Sequence, residues 1–155
     1  MDFERTVKDY LSQVIHMSLA TVGEGGRPWV CEVHFAFDDE LNLYWVSMGD
    51  ARHSQEVKAN PQVAGTIAVQ HFLDQMPRAV SFEGTAEVLE DVTPEHPAYK
   101  TYVARFPSRA QVITEAYTSD DPNGRRIYKV TVSDYYLVDG IATGKLEKHH
   151  MPWKR

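Results

Sequence analysis

The stretch RAVSFEGTAEVL, residues 78–89, sets Val80, Phe82, Ala86 and Val88 on one side of an extended chain and Ser81, Glu83, Thr85 and Glu87 on the other. A period of two marks a strand buried on one face only. Strand-like runs recur in HMSLATV, WVCEVHFAF, LNLYWVSM, QVAGTIAVQ and RRIYKVTVSDYYLVD, with the glycines of GEGGRP and the acids of DDE between the first three. In WVCEVHFAF one face carries Trp29, Cys31, Val33, Phe35 and Phe37, and the other Val30, Glu32, His34 and Ala36. Six short, mostly hairpin-linked strands predict an antiparallel barrel, because closing the sheet removes its exposed edges. Gly84, inside an otherwise regular strand, predicts a bulge or a barrel bend.

Helical patterning is confined to short segments. FERTVKDYLSQV places Phe3, Val7, Leu11 and Val14 on one stripe, which predicts an amphipathic helix. TPEHPAYKTYVARF opens with Thr and Pro, residues suited to a helix start, and SRAQVITEAY predicts a further short helix. The 155 residues are read as one domain, 1–155, without repeats or linkers. No apolar run approaches the roughly 20 residues that span a bilayer, and the charged opening MDFERTVKDY is unlike a signal peptide, so a cytoplasmic protein away from membranes is expected. The single cysteine excludes an internal disulfide and fits a reducing compartment. A net charge of −6 argues against general attraction to nucleic acid, so any anion must be gripped locally.

The segment SMGDARHSQEVKANPQVAGTI, residues 47–67, contains such a grip. Asn60 and Pro61 stop a short helix, since proline disfavours helical geometry in the residue before it. With Asp50 as N-cap, Ala51, Arg52 and His53 form a first turn whose amides have no partner within the helix. Arg52 offers a forked donor, and Ser47 a hydroxyl at the end of the preceding strand. The competing reading is an ordinary connector whose anion is Asp50 itself.

Other residues have plainer readings. Cys31, among Trp29, Val33 and Phe35, reads as a small buried thiol rather than a nucleophile. Glu32 and His34 share a face at i and i+2, a spacing compatible with acid–base work, though polar residues on an exposed or cleft-lining face are the commoner case. Adjacent His149 and His150 read as a solvated tail rather than a metal site, and the strand aromatics read mostly as core. Trp153 could fold back over a bound ring or stay an unanchored terminus.

Taken together, MSLATVGEGGRPWVCEVHFAFDDELNLYWVSM, ARHSQEVKANPQVAGTI and RAVSFEGTAEVL, about residues 17–90, resemble successive segments of the pyridoxamine 5′-phosphate oxidase-like family of flavin-binding split barrels. Beyond residue 90 the RFP stretch, the long last strand and GIATGK resemble a smaller subgroup of it. The resemblance implies an all-β, six-stranded antiparallel Greek-key split barrel with peripheral helices, forming a homodimer with flavin mononucleotide (FMN) at the seam. An apolar side that includes Trp45 and the aromatic run of the second strand is expected to be covered by the second copy.

By the same resemblance the cofactor-binding residues are Ser47, Arg52 and His53 at the phosphate and Cys31, Glu32 and Val33 along the ring. His53 stands where the family has lysine, and Cys31 where the oxidase has a phosphate-binding arginine. The implied function is a flavin-dependent oxidoreductase acting on a small redox substrate, with no catalytic side chain and no metal assigned. The alternatives are a non-catalytic carrier of flavin, deazaflavin (F420) or heme, and a cofactor-free interaction protein. Oxidation of pyridoxamine phosphate is not expected: Tyr102 matches one substrate-phosphate ligand, but Phe106 stands where arginine is needed, Arg105 and Arg109 only flank it, and GKLEKHHMPWKR lacks the Arg-x-His motif.

Overall fold

The computed structural model describes residues 2–143 and 148–152. Helix α1 (Phe3–Gln13) is capped by Asp2, whose carboxylate accepts from Arg5 N, and buries Val7, Tyr10 and Leu11 as the stripe requires. Strands β1 (His16–Val22) and β2 (Pro28–His34) form a hairpin through Gly25 and Gly26, both at positive φ. Then follow β3 (Ala36–Phe37), β4 (Leu43–Met48), α2 (Arg52–Ala59), β5 (Gln62–Val69) and β6 (Arg78–Leu89). Helices α3 (Pro97–Arg105) and α4 (Ala110–Thr118), strand β7 (Arg125–Asp139), the single turn α5 (Gly140–Thr143) and β8 (Lys148–Pro152) complete the order.

All strand pairs are antiparallel, in the order β2-β1-β5-β6-β7-β4-β3, with β8 added beside β7. The sheet's two ends, β2 and β3, are one bent piece of chain interrupted at Phe35, so the sheet curls round onto itself. Counted that way, six strand positions make the barrel, as the alternation predicts, and β8 is an addition. The bend at Phe35 divides the run WVCEVHFAF, which reads as one strand. Phe35 is fully buried, and its N–H donates to Ile15 O rather than to a ladder.

The predicted irregularity at Gly84 is a register shift, with Glu83 opposite Asp134 but Gly84 opposite Val132. A Cβ on Gly84 would lie 2.4 Å from Thr131 O, so glycine alone lets β6 and β7 approach here. The barrel interior holds Phe35, Trp45, Phe82 and Tyr135 among its fully buried side chains. A second cluster, including Tyr44, Tyr102, Ile113 and Ile127, sits beneath α3 and α4. At about 1.5–3 kcal/mol for each large apolar side chain buried, both layers matter to stability. Arg105 anchors α3 by donating to Leu11 O, Val14 O and Phe35 O at the corner where α1 meets the bend.

Four expectations change. Trp45 lies inside the barrel, not on a face awaiting a partner; the exposed aromatic of the second strand is Trp29, beside exposed Val30. Helix α3 starts at Pro97 with His96 as its cap, because Thr93 and Pro94 belong to the preceding turn. Asp50 does not cap α2; Ala51 holds that position, with no side-chain hydrogen bond. His149 and His150 are not a solvated tail. They pair with Leu137 and Tyr136 in the ladder, and His150 stacks on Tyr136 and bonds Asp134 at 2.7 Å. Trp153 lies outside the described residues. No helix among the described residues is long and apolar enough to cross a membrane.

Candidate functional site

The barrel's seam opens where β2 leaves β4. Ala36 pairs with Tyr44 and Phe37 with Leu43. Continued past Phe35, that register would set His34 against Val46 and Val33 against Ser47, yet β2 pairs only with β1. All four residues instead line a cavity of about 270 Å³. Backbone groups on the facing edges of β2 and β4 lack ladder partners there, and such groups seek donors and acceptors elsewhere.

At one end of this split, Ser47 Oγ and His53 Nε2 are 2.5 Å apart. Burial holds His53 below its ordinary pKa, partly opposed by the Glu56 carboxylate, so the unliganded ring is biased toward its neutral form. Arg125 lines the same cavity, delivered by its place opposite Met48 in the β4–β7 ladder. Because no side chain caps α2, its first-turn amides are not consumed by Asp50.

Arg52 is placed differently. Its Nε contacts Glu56 Oε1 at 2.7 Å, its guanidinium lies 4.1 Å from the centre of the Trp29 ring, and it does not line the cavity. Glu56 also accepts from Thr21 Oγ1, and its carboxyl is held below the usual range first by the Arg52 hydrogen bond. The arginine thus straps β2 to α2, while the glutamate ties α2 to β1.

The other end is aromatic. The His34 ring is stacked between His16, 4.5 Å away, and Phe106, 5.2 Å away. Its pKa is lowered by burial, then by His16 and Arg109. Tyr102 and Arg109 reach the cavity from α3 and the turn that follows it, and burial raises the Tyr102 phenol. Glu32 lines the cavity and accepts from the Ser18 hydroxyl. Cys31 points elsewhere, packing against the barrel core with its thiol raised by burial, so only its backbone belongs to the strand edge. Among the described residues, no group of three His, Cys, Asp or Glu side chains is placed to hold a metal.

The sequence-predicted set therefore divides. Ser47, His53, Glu32 and Val33 meet in one cavity, whereas Arg52 and the Cys31 side chain do not join them. Arg125 has no local signal in the sequence beyond a cationic start to the last long strand, and the β4–β7 register that delivers it to the cavity is non-local.

An antiparallel barrel opened between two strands defines the class: this is a split β-barrel with peripheral helices. The chain belongs to the pyridoxamine 5′-phosphate oxidase family, which it matches over residues 3–139. Among curated relatives, a UPF0306 protein of Yersinia pestis is 29% identical over 93 residues, covering 59% of this chain and 63% of the relative's length. The putative pyridoxamine 5′-phosphate oxidase of Listeria innocua superposes with a TM-score of 0.64 at 20% identity, covering 88% of this chain and 98% of that one. HutZ, the heme storage protein of Vibrio cholerae, superposes at 0.63 with 18% identity over 98% of this chain and 95% of its own. At these identities the structural likeness carries the fold.

Proposed function

We propose that this protein binds FMN in the split between β2 and β4 and uses it as a flavin-dependent oxidoreductase on a small redox substrate. The observation that carries the reading is the interrupted ladder closed at one end by Ser47, His53 and Arg125. Two facing rows of backbone groups suit the polar edge of a planar heterocycle, and a hydroxyl, an imidazole and a guanidinium suit a phosphate. Family membership supports the choice of flavin.

In this assignment Ser47, His53 and Arg125 hold the phosphate, and the backbone from Cys31 to Val33 lies along the ring. Arg52 acts mainly by positioning the first turn of α2. FMN when bound supplies the redox chemistry, and the chain's residues bind, orient and exclude water. A second copy of the chain covers Trp29 and Val30 and completes the walls of the site, making the working unit a homodimer.

We read the substrate as other than pyridoxamine phosphate: Phe106 is stacked on His34 where the oxidase needs an arginine, and Arg105 is committed to three carbonyls, which leaves Arg109 beside Tyr102 as the arginine of that region that lines the cavity. The second reading, a non-catalytic heme carrier, draws on HutZ and on the imidazole of His34 in the cavity. Absorbance of purified protein separates flavin bands from a heme Soret band, and turnover of the bound flavin with a reduced nicotinamide dinucleotide as hydride donor separates enzyme from carrier.

A further inference from the structure

The aromatic end of the split holds a side chain that the flavin assignment leaves unused. His34 lines the cavity with its ring stacked between His16 of β1 and Phe106, which follows α3. A ring covered in this way meets a ligand through its edge, where its two nitrogens lie. Neither nitrogen has a hydrogen-bond partner among the described residues. The charged and titratable groups around the ring are His16, Arg109, the Tyr102 phenol and, two residues back on β2, Glu32. Burial, then His16 and Arg109, hold the imidazole below its ordinary pKa, so at neutral pH one nitrogen offers a lone pair.

Tyr102 supplies the complement. It is 3% exposed, packs on Phe106 at 5.0 Å and lines the same cavity. Burial raises its phenol, which therefore stays protonated and donates. An acceptor and a donor in one cavity match a hydroxyl, which gives one hydrogen bond and takes another. Val46 of β4 and Val112 and Ile113 of α4 add an apolar wall that suits a ring. The charges of Arg109 and Glu32 cancel here, while Arg125 stands with Ser47 and His53 at the other end. An ionic ligand gains little from such a balance.

We propose that the split takes an uncharged hydroxyaryl substrate, whose O–H donates to the ring edge of His34 and whose oxygen accepts from Tyr102. His34 is then the residue placed to receive that proton: the O–H bond breaks, an N–H bond forms on the imidazole, and the electron pair stays on the oxygen. The proposal names a substrate class for the flavin reading and rests on it for turnover, whereas binding needs only the residues of this end.

Phenol is the probe, because it stays un-ionised from pH 5 to pH 8, and anisole, the same ring without an O–H, is its control. Titrated at pH 8 into isotopically labelled, FMN-loaded protein, phenol should give saturable amide shifts centred on His34, Tyr102 and Ile113. It should bind about five- to tenfold more tightly than anisole, the worth of one hydrogen bond. Between pH 8 and pH 5 phenol affinity should fall as the pH drops through the folded pKa of His34, because the imidazolium has no lone pair to offer, and anisole affinity should not. His34→Leu should bring phenol to the level of anisole. His34→Gln, which keeps an acceptor but cannot titrate, should restore the affinity and remove the pH dependence. Equal affinities for phenol and anisole, a phenol affinity that is flat or rises on acidification, or benzoate binding more tightly than phenol would each overturn the assignment. FMN absorbance of the same samples is read separately: protein that keeps FMN but fails the phenol test contradicts the hydroxyaryl assignment alone, and protein that loses FMN but passes it contradicts the flavin reading alone.

Discussion

The barrel's two sides satisfy their backbones in opposite ways. On the closed side β6 pairs with β7 through twelve residues and with β5 through eight, and large side chains fill the space behind. On the open side β3 and β4 share two pairs before β2 swings away, leaving a polar cavity in place of a ladder. Every hydrogen bond made within the closed side is unavailable to a ligand. The unpaired edges of the open side are tolerable because water or a cofactor satisfies them. Stability and binding should therefore separate by mutation.

The largest effect is expected on the closed side. Gly84→Val drives a Cβ to within 2.4 Å of a carbonyl oxygen in the neighbouring strand, which neither strand can yield without breaking register. A loss of about 3 kcal/mol, or a fall of roughly 6–12 °C in Tm, is expected by thermal unfolding. A variant as stable as wild type would show that the bulge is not a constraint.

Next in size, Arg125→Ala should weaken FMN binding by about ten- to a hundredfold, the range for one charge-assisted hydrogen bond, while apo Tm stays nearly constant. Titration of apo protein with FMN reads the first quantity and calorimetry the second. A fall in Tm with unchanged affinity would move Arg125 from the open side's function to the closed side's framework.

His53 sharpens the comparison through pH. Its folded pKa lies below the ordinary 6.5 because of burial, so protonation favours the unfolded chain. Its stabilising contribution is present above about pH 6.5 and is lost as pH falls through the folded pKa. A bound phosphate pushes the other way, favouring the imidazolium, so FMN binding takes up a proton. His53→Ala should cost more affinity at pH 6 than at pH 8, and it should flatten the apo stability profile over that range. Equal losses at both pH values would remove it as a titrating ligand.

The smallest effect is expected for Arg52→Ala. The guanidinium lies between Glu56 and Trp29 outside the cavity, so affinity should fall only about two- to threefold, with little change in stability. A loss as large as that of Arg125→Ala would show that the side chain swings into the split when the cofactor arrives.

Alternation made the strands readable, and the stripe Val7–Leu11 made α1 readable, because both depend on residues near one another. The break at Phe35 was not readable: its side chain fits the apolar face of a continuous strand, and the bend is imposed by packing against α1 and Arg105. Asp50 follows the cap rule, but the helix begins a residue too late for it. The histidines of β8 look like a tail because their pairing partner is the strand before α5, and HH carries no period. Within the site, Ser47 and His53 were legible because six residues and one turn join them. Arg125, Arg109 and the aromatic stack on His34 reach the cavity by long-range register that no local pattern encodes.

The most direct test of the account is a titration of the purified apo protein with FMN, followed by absorbance and by the flavin remaining after gel filtration. The account predicts a yellow complex saturating at one FMN per chain. Protein that elutes colourless at saturating FMN, or that retains heme in preference to flavin, would contradict it.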